Sequence, residues 1–178
     1  MEFRQATVTD ISNIAKLHAR SWRETYSDAL SATFLQHEVE KNRENTWIKR
    51  LTTPEPNQRV IVAELDGVFC GFICAFGGKH PTNGTIIDNL HVYSEYKGKG
   101  IGTKLLHLAA LWAKENYPTH GIYLEVLKSN PNAIRFYESL GGKRAGEAIW
   151  NTPCGNSVSE YVYRWDTPDT LTNAKQTA

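Results

Sequence analysis

The sequence predicts an α/β fold of the α+β kind, with a mixed, mostly antiparallel central sheet that is split at one parallel strand pair and flanked by helices. Three observations carry this. Apolar positions switch between a two-residue and a 3.6-residue period in the order strand, helices, antiparallel strands, strand, helix, strand, helix, hairpin. Asp66-Gly67 joins two β-branched runs, a strong signal for a type I′ hairpin. An amphipathic helix lies between the runs 85–93 and 121–127, and such a crossover sets its two strands parallel, joined in right-handed sense.

Phe3–Thr7 reads as the first strand. Thr9 or Asp10 can cap a helix to about Arg20, where Ile11, Ile14, Ala15, Leu17 and His18 share one face. Further helix is expected over 32–51, before Pro54 and Pro56 break the chain. Residues 59–65 and 68–76 form the hairpin around Asp66-Gly67. Gly77, Gly78, Pro81, Asn83 and Gly84 make a loop, and 85–93 is the next strand. In the following helix, Ile101, Leu105, Ala109 and Trp112 fall on one face, with Leu106, Ala110 and Ala113 widening it. Pro118 ends that helix. Gly121–Leu127 is a strand, Asn130-Pro131 a cap with proline in the first turn, and 132–140 a short helix stopped by Gly141-Gly142. Residues 143–150 and 158–165 close the fold as a hairpin. From Asp166 onward the composition predicts a loose tail.

With 178 residues, 40% hydrophobic and 22% charged, the chain suits one globular domain, and no repeat or second domain is visible. A net charge of +1 gives no general attraction to nucleic acid or anionic membrane, so any phosphate recognition is local. Cys70, Cys74 and Cys154 give no even disulfide framework. The first two, four residues apart on a strand, lie about 13 Å from each other, too far to bridge. They read as core residues in a reducing compartment. The start lacks the regions of a signal peptide and no apolar run approaches membrane-spanning length, so the protein is expected to be cytoplasmic, with neither membrane nor nucleic acid as partner. Histidines 18, 37, 80, 91, 107 and 120 form no metal-ligand cluster, and no metal is expected.

Lys97-Gly98-Lys99-Gly100-Ile101-Gly102-Thr103 sits between strand and helix. Alternate glycines allow positive φ and close approach to an anion, and the helix beginning near Ile101 adds unpaired N–H groups and a positive dipole end. The spacing is neither the dinucleotide fingerprint nor a P-loop. By itself it describes a glycine-rich turn with two solvated lysines as well as a phosphate site.

Residues 87–106 (IDNLHVYSEYKGKGIGTKLL) and 124–142 (LEVLKSNPNAIRFYESLGG) together resemble the GNAT superfamily of acyl-CoA-dependent N-acyltransferases. The resemblance runs from residue 1 to about 165, as one domain, and is strongest over 85–142. It implies acetyl-CoA as co-substrate and a primary amine as acceptor, attacked directly in a ternary complex, with no covalent enzyme intermediate. Lys97 stands where the superfamily usually has glutamine or arginine; it keeps a positive charge but lacks arginine's planar fork, so main-chain amides of 98–103 carry most of the pyrophosphate binding. Leu90, His91 and Val92 are expected to pair their backbone with the pantetheine arm, the Val92 amide polarising the thioester carbonyl. Asn130 is expected to hydrogen-bond the pantetheine amide, and Tyr137, two helical turns on, to donate a proton to the coenzyme A sulfur as the tetrahedral intermediate collapses.

Tyrosine titrates at ~10 and a thiol at ~8.5, so full transfer between them is uphill by about 1.5 units, roughly 2 kcal/mol. Tyr137 therefore needs either a lowered pKa or a role as hydrogen-bond donor to developing charge. An ammonium acceptor must also lose a proton. Glu125, a charge inside an apolar strand, and Asp88, on the preceding strand at the parity of Leu90 and Val92, compete as the base; Glu125 leads, because its distance to Tyr137 resembles the acid and base placement of ribosomal-protein alanine N-acetyltransferases. A plain salt bridge is the alternative for either. His18, Trp22 and Tyr26 recur every four residues, and Trp22 and Tyr26 are candidate acceptor contacts, although such a stripe is more often core. Trp150, Tyr161, Tyr163 and Trp165 complete that pocket or make a dimer contact. The competing readings are a non-catalytic acyl-CoA sensor and a nucleotide-binding regulator using the same glycine loop. Cys70 and Cys74 lack a neighbouring histidine, which sets aside a thiol-acyl route.

Overall fold

The structure is a computed structural model and describes residues 1–173. Seven strands form one sheet in the order β1-β2-β3-β4-β5-β7-β6. They are β1 (Glu2–Gln5), β2 (Gln58–Leu65), β3 (Val68–His80), β4 (Gly84–Val92), β5 (Ile122–Leu127), β6 (Lys143–Asn151) and β7 (Ser157–Trp165). All neighbours run antiparallel except β4 and β5. The helices are α1 (Ile11–Thr25), α2 (Val39–Thr52), α3 (Ile101–Asn116), α4 (Pro131–Ser139) and α5 (Asp169–Thr172). No helix among the described residues is long and apolar enough to cross a membrane.

The β2–β3 turn is type I′ in its dihedrals, since Asp66 and Gly67 have φ of 54° and 77°. The parallel pair follows from the α3 crossover, which a two-residue turn cannot make. One local expectation fails and another holds with a local variation. Asp10 makes no side-chain cap on α1; its carboxylate takes the Thr7 N–H (2.8 Å) and Arg4 (2.8 Å) instead, because a buried charge gains more from a guanidinium than from a second amide. The helix expected over 32–51 passes through a π-helical stretch, Phe34–Glu38, before α2 proper.

The sheet separates two apolar layers. One face, with Ile61, Ile73, Ala75, Ile87, Leu124 and Val126, packs on α3 through Ile101, Leu105, Leu106, Ala109 and Ala113. The opposite face presents Val60, Val62, Phe72 and Cys74 to Ile14 and Leu17 of α1 and Trp47 of α2. The segment expected to be a loose tail departs from its composition: α5 buries Leu171 (3% exposed) against the α3 layer, and Asp169 pairs with Lys114 at 2.5 Å. One leucine with a groove to fill outweighs the polar residues around it. Residues 174–178 lie outside the described residues.

Candidate functional site

The site begins with one extra residue in β4. Cys74 of β3 faces Asn89 while its neighbour Ala75 faces Ile87, so Asp88 is a bulge without a cross-strand partner. A bulge bends its strand and increases the local twist. β4 and β5 accordingly pair only at Thr85–Ile122 and Ile86–Tyr123 and separate beyond them. The opening is a cleft of about 640 Å³. It lies at the carboxyl ends of the two parallel strands, where open sheets place ligands.

One wall of the cleft is bare backbone. Gly71 faces Val92, and the Tyr93 N–H donates to the Cys70 carbonyl at 3.0 Å. Peptide N–H groups alternate sides along a strand, so the Val92 N–H points away from β3 and into the gap. At the mouth, Gly98 and Gly100 have φ of 77° and 76°, and nothing lies within 4 Å of where a Cβ would sit on either. The first amide of α3 to reach a carbonyl is Lys104, on Gly100 at 3.0 Å, which leaves those of Ile101, Gly102 and Thr103 at the positive end of the helix without helical partners. Gly102 differs from the other two glycines. It is helical, and a Cβ there would touch Phe136 at 3.4 Å, so the positive φ expected of all three holds at two.

Leu90, His91, Val92, Lys97, Gly98, Gly100, Ile101, Gly102, Thr103, Asn130, Tyr137, Glu125, Asp88 and Tyr26 all line the cleft. Lys99 does not; it is exposed, with its ammonium 5.1 Å from the Tyr96 ring centre, because the turn at Gly98 and Gly100 throws it outward. Asn130 caps α4 by accepting the Ala133 N–H (3.1 Å), which leaves its amide N–H groups for another partner. Burial pushes the Tyr137 phenol well above its ordinary value, and the nearby Tyr26 phenol adds to the effect. Burial, then Lys97 and Arg43, push His91 down to about 3, so it is neutral.

The two candidate bases differ. Asp88 is paired with Arg50 at 2.8 Å, and the same guanidinium reaches Asn89 at 2.7 Å. Glu125 has no ion pair among the described residues; burial and the charge of Asp88 raise its pKa.

The aromatic stripe divides. Trp22 is only 6% exposed and absent from the cleft lining, with Arg43 stacked 4.0 Å over its ring, which is core packing rather than an acceptor contact. His18 is fully buried and accepts the Trp47 N–H at 3.1 Å. Only Tyr26, at the helix end, reaches the cleft. Of the final hairpin, Trp150 stands against Tyr26 (centroids 5.9 Å), whereas Tyr163 donates to Glu138 (2.7 Å) and Trp165 to the Leu140 carbonyl (2.9 Å), fixing α4 to the sheet. Tyr161 lies under Arg144 at 3.7 Å. Burial pushes the Cys74 thiol up to about 12, which keeps it from acting as a thiolate. Sequence reasoning passed over Ser21, Thr25 and Phe136 in the lining, and Glu160 behind it. Glu160 carries the same signal that drew attention to Glu125, an acid at an apolar parity, between Val158 and Val162.

The sequence model described as the acetyltransferase (GNAT) family matches residues 13–142. The N-alpha-acetyltransferase of Sulfurisphaera tokodaii is 30% identical over 150 residues, covering 79% of this chain and 78% of that protein. Streptothricin acetyltransferase A of Bacillus subtilis is 44% identical over 81 residues, covering 44% of this chain and 46% of the relative. The PaiA N-acetyltransferase of Thermoplasma acidophilum, solved in complex with coenzyme A, shares the fold with a TM-score of 0.68 at 18% identity, covering 93% and 98% of the two chains.

Proposed function

That the chain belongs to the acetyltransferase (GNAT) family, and is thus an acetyl-CoA-dependent acyltransferase, is the premise from which we propose that it acetylates a primary amine by direct attack in a ternary complex. The observation that carries this is the gap between β4 and β5, into which the Val92 N–H points and which Tyr137 lines together with Glu125. Acetyl-CoA supplies the activated acetyl group as a thioester. The glycine loop fits its diphosphate, since Gly98 and Gly100 hold the backbone open where side chains would intrude and the start of α3 offers free amides. The Val92 N–H serves as hydrogen-bond donor to the carbonyl oxygen, and Asn130 donates to the pantetheine arm.

Tyr137 acts as a protonated donor to the leaving sulfur. Burial raises its proton affinity, which argues against full transfer and for a hydrogen bond to developing negative charge. Glu125 takes the acceptor's proton, because a raised carboxyl binds a proton more readily and no cation among the described residues claims it. Asp88, held by Arg50, instead keeps the neighbourhood of Glu125 negative. The acceptor is a small-molecule or peptide amine reached from the side of Tyr26. One relative is named for streptothricin and another as an N-alpha-acetyltransferase, which favours amines in either form.

The test is thiol release from acetyl-CoA across an amine panel. Tyr137→Phe is expected to lower kcat by about 10²-fold or more while calorimetric acetyl-CoA binding is retained. Glu125→Gln is expected to abolish the acid limb of the rate-pH profile, because that limb reports a carboxyl that must be ionised to accept the proton. Acetyl-CoA binding without thiol release for any amine would leave the chain a non-catalytic acyl-CoA binder.

A further inference from the structure

Glu160 is a buried carboxylate that the mechanism above does not use. It stands on β7 opposite Leu127 of β5 and Ala148 of β6, so its side chain is on the α1 face of the sheet. Glu125 shares that face and is its diagonal neighbour, since Glu125 faces Val162, two residues along; such neighbours are about 7–8 Å apart, within reach of long side chains. Glu160 is 8% exposed. Among the described residues it has neither ion pair nor hydrogen bond. Lys128, whose N–H meets the Ser159 carbonyl beside Glu160, pairs with Glu147 instead.

The aromatic groups on this side suit a cation, and Tyr26 is close enough to Glu160 that burial, then that charge, raise its phenol. Tyr26 stacks on Trp22 (centroids 5.8 Å) and meets Trp150 edge-on (5.9 Å), and aromatic faces attract ammonium groups. Tyr26 and Glu125 both line the cleft, and Glu160 stands behind Glu125 on the same face of the sheet. We propose that Glu160 is a specificity-determining residue that seats a second cationic group of the acceptor against the Tyr26 ring, so that the enzyme favours diamines over monoamines. This rests on the amine acetylation proposed above. Burial and the charge of Glu125 push Glu160 up to about 7, the cost of a carboxylate held without a counter-ion. A bound ammonium supplies that counter-ion. A glutamate there only for packing would be replaced by glutamine without consequence for amine choice.

The experiment compares putrescine with n-butylamine as acceptors for wild type, Glu160→Gln and Glu160→Asp. In wild type the diamine is expected to have a kcat/KM at least about tenfold higher, carried by KM, as a charge-assisted hydrogen bond gives. Glu160→Gln is expected to bring the ratio close to one, and Glu160→Asp to restore part of it. A wild-type ratio near one, or a ratio that Glu160→Gln leaves unchanged, overturns the proposal. If neither amine is acetylated, calorimetric titration of both onto the coenzyme A-loaded protein separates the two readings. Glu160-dependent preference for putrescine then upholds the diamine seat and removes the catalytic reading; equal binding removes the seat.

Discussion

Burial, more than any charged partner, shifts the proton affinities of Tyr137, Glu125 and His91 in the cleft and of Glu160 behind it. Tyr137, Glu125 and Glu160 are all lifted with desolvation as the leading cause, and His91 is lowered for the same reason. A consequence for stability follows at Glu160. Its unfolded value is near ~4.3 and its folded value about 7, so the folded protein binds this proton more tightly. The stability it contributes is present at pH below ~4.3 and is lost as pH rises through about 7. Glu160→Gln does not titrate there, so the melting temperature of wild type relative to this variant is expected to fall across that window. Above it the variant should be more stable by about 2 kcal/mol, allowing for partial solvation. Thermal denaturation of both proteins at several pH values checks this, and a pH-independent difference would refute it. The identity of Glu125 as an acid in an apolar strand was legible in the sequence. That Asp88 has Arg50 while Glu125 has no cation among the described residues was not, because Arg50 lies 38 residues earlier, on a helix whose docking only the folded core fixes.

Three glycines that look equivalent in the loop preceding α3 have separate duties. Gly98 and Gly100 supply left-handed backbone, whereas Gly102 is already helical and leaves room beside Phe136. Gly100→Ala meets no steric obstacle, so its whole cost is conformational, about 1–2 kcal/mol. Denaturant unfolding should show that loss, and calorimetry a weaker grip on acetyl-CoA, since the amides that follow would re-aim. Gly102→Ala should be neutral to slightly stabilising by the same unfolding assay, because alanine is the better helix former and the Phe136 contact is of ordinary length. If both variants lose stability equally, the division of roles is wrong. At this scale the Asp66-Gly67 hairpin and α3 could be read from local pattern, since turn chemistry and helical periodicity are short-range. The bulge at Asp88 could not: it is defined by where β3 sits across from it, and nothing in Ile-Asp-Asn-Leu announces it.

Across the whole molecule, the sheet order β1-β2-β3-β4-β5-β7-β6 puts the cleft at its parallel pair, and α5, at the end of the described residues, packs back on α3. Leu171 ties that end to the core. Leu171→Ala is expected to destabilise the protein by about 2–3 kcal/mol, measured by equilibrium denaturation. A change below about 0.5 kcal/mol, the usual range of surface substitutions, would show that the segment from Asp166 contributes nothing. The amino-acid sequence by itself determined the element order, the crossover that makes one strand pair parallel, the glycine-rich turn before α3 and the family, because each is written in spacing along the chain. The tertiary structure alone decided which polar groups share the cleft. It removed Trp22 and Lys99 from the lining, paired Asp88, and brought Glu160 to the side of Glu125 from 35 residues away. The physical reason is that burial and charge pairing depend on distances through space, and strand register, not sequence separation, sets those distances.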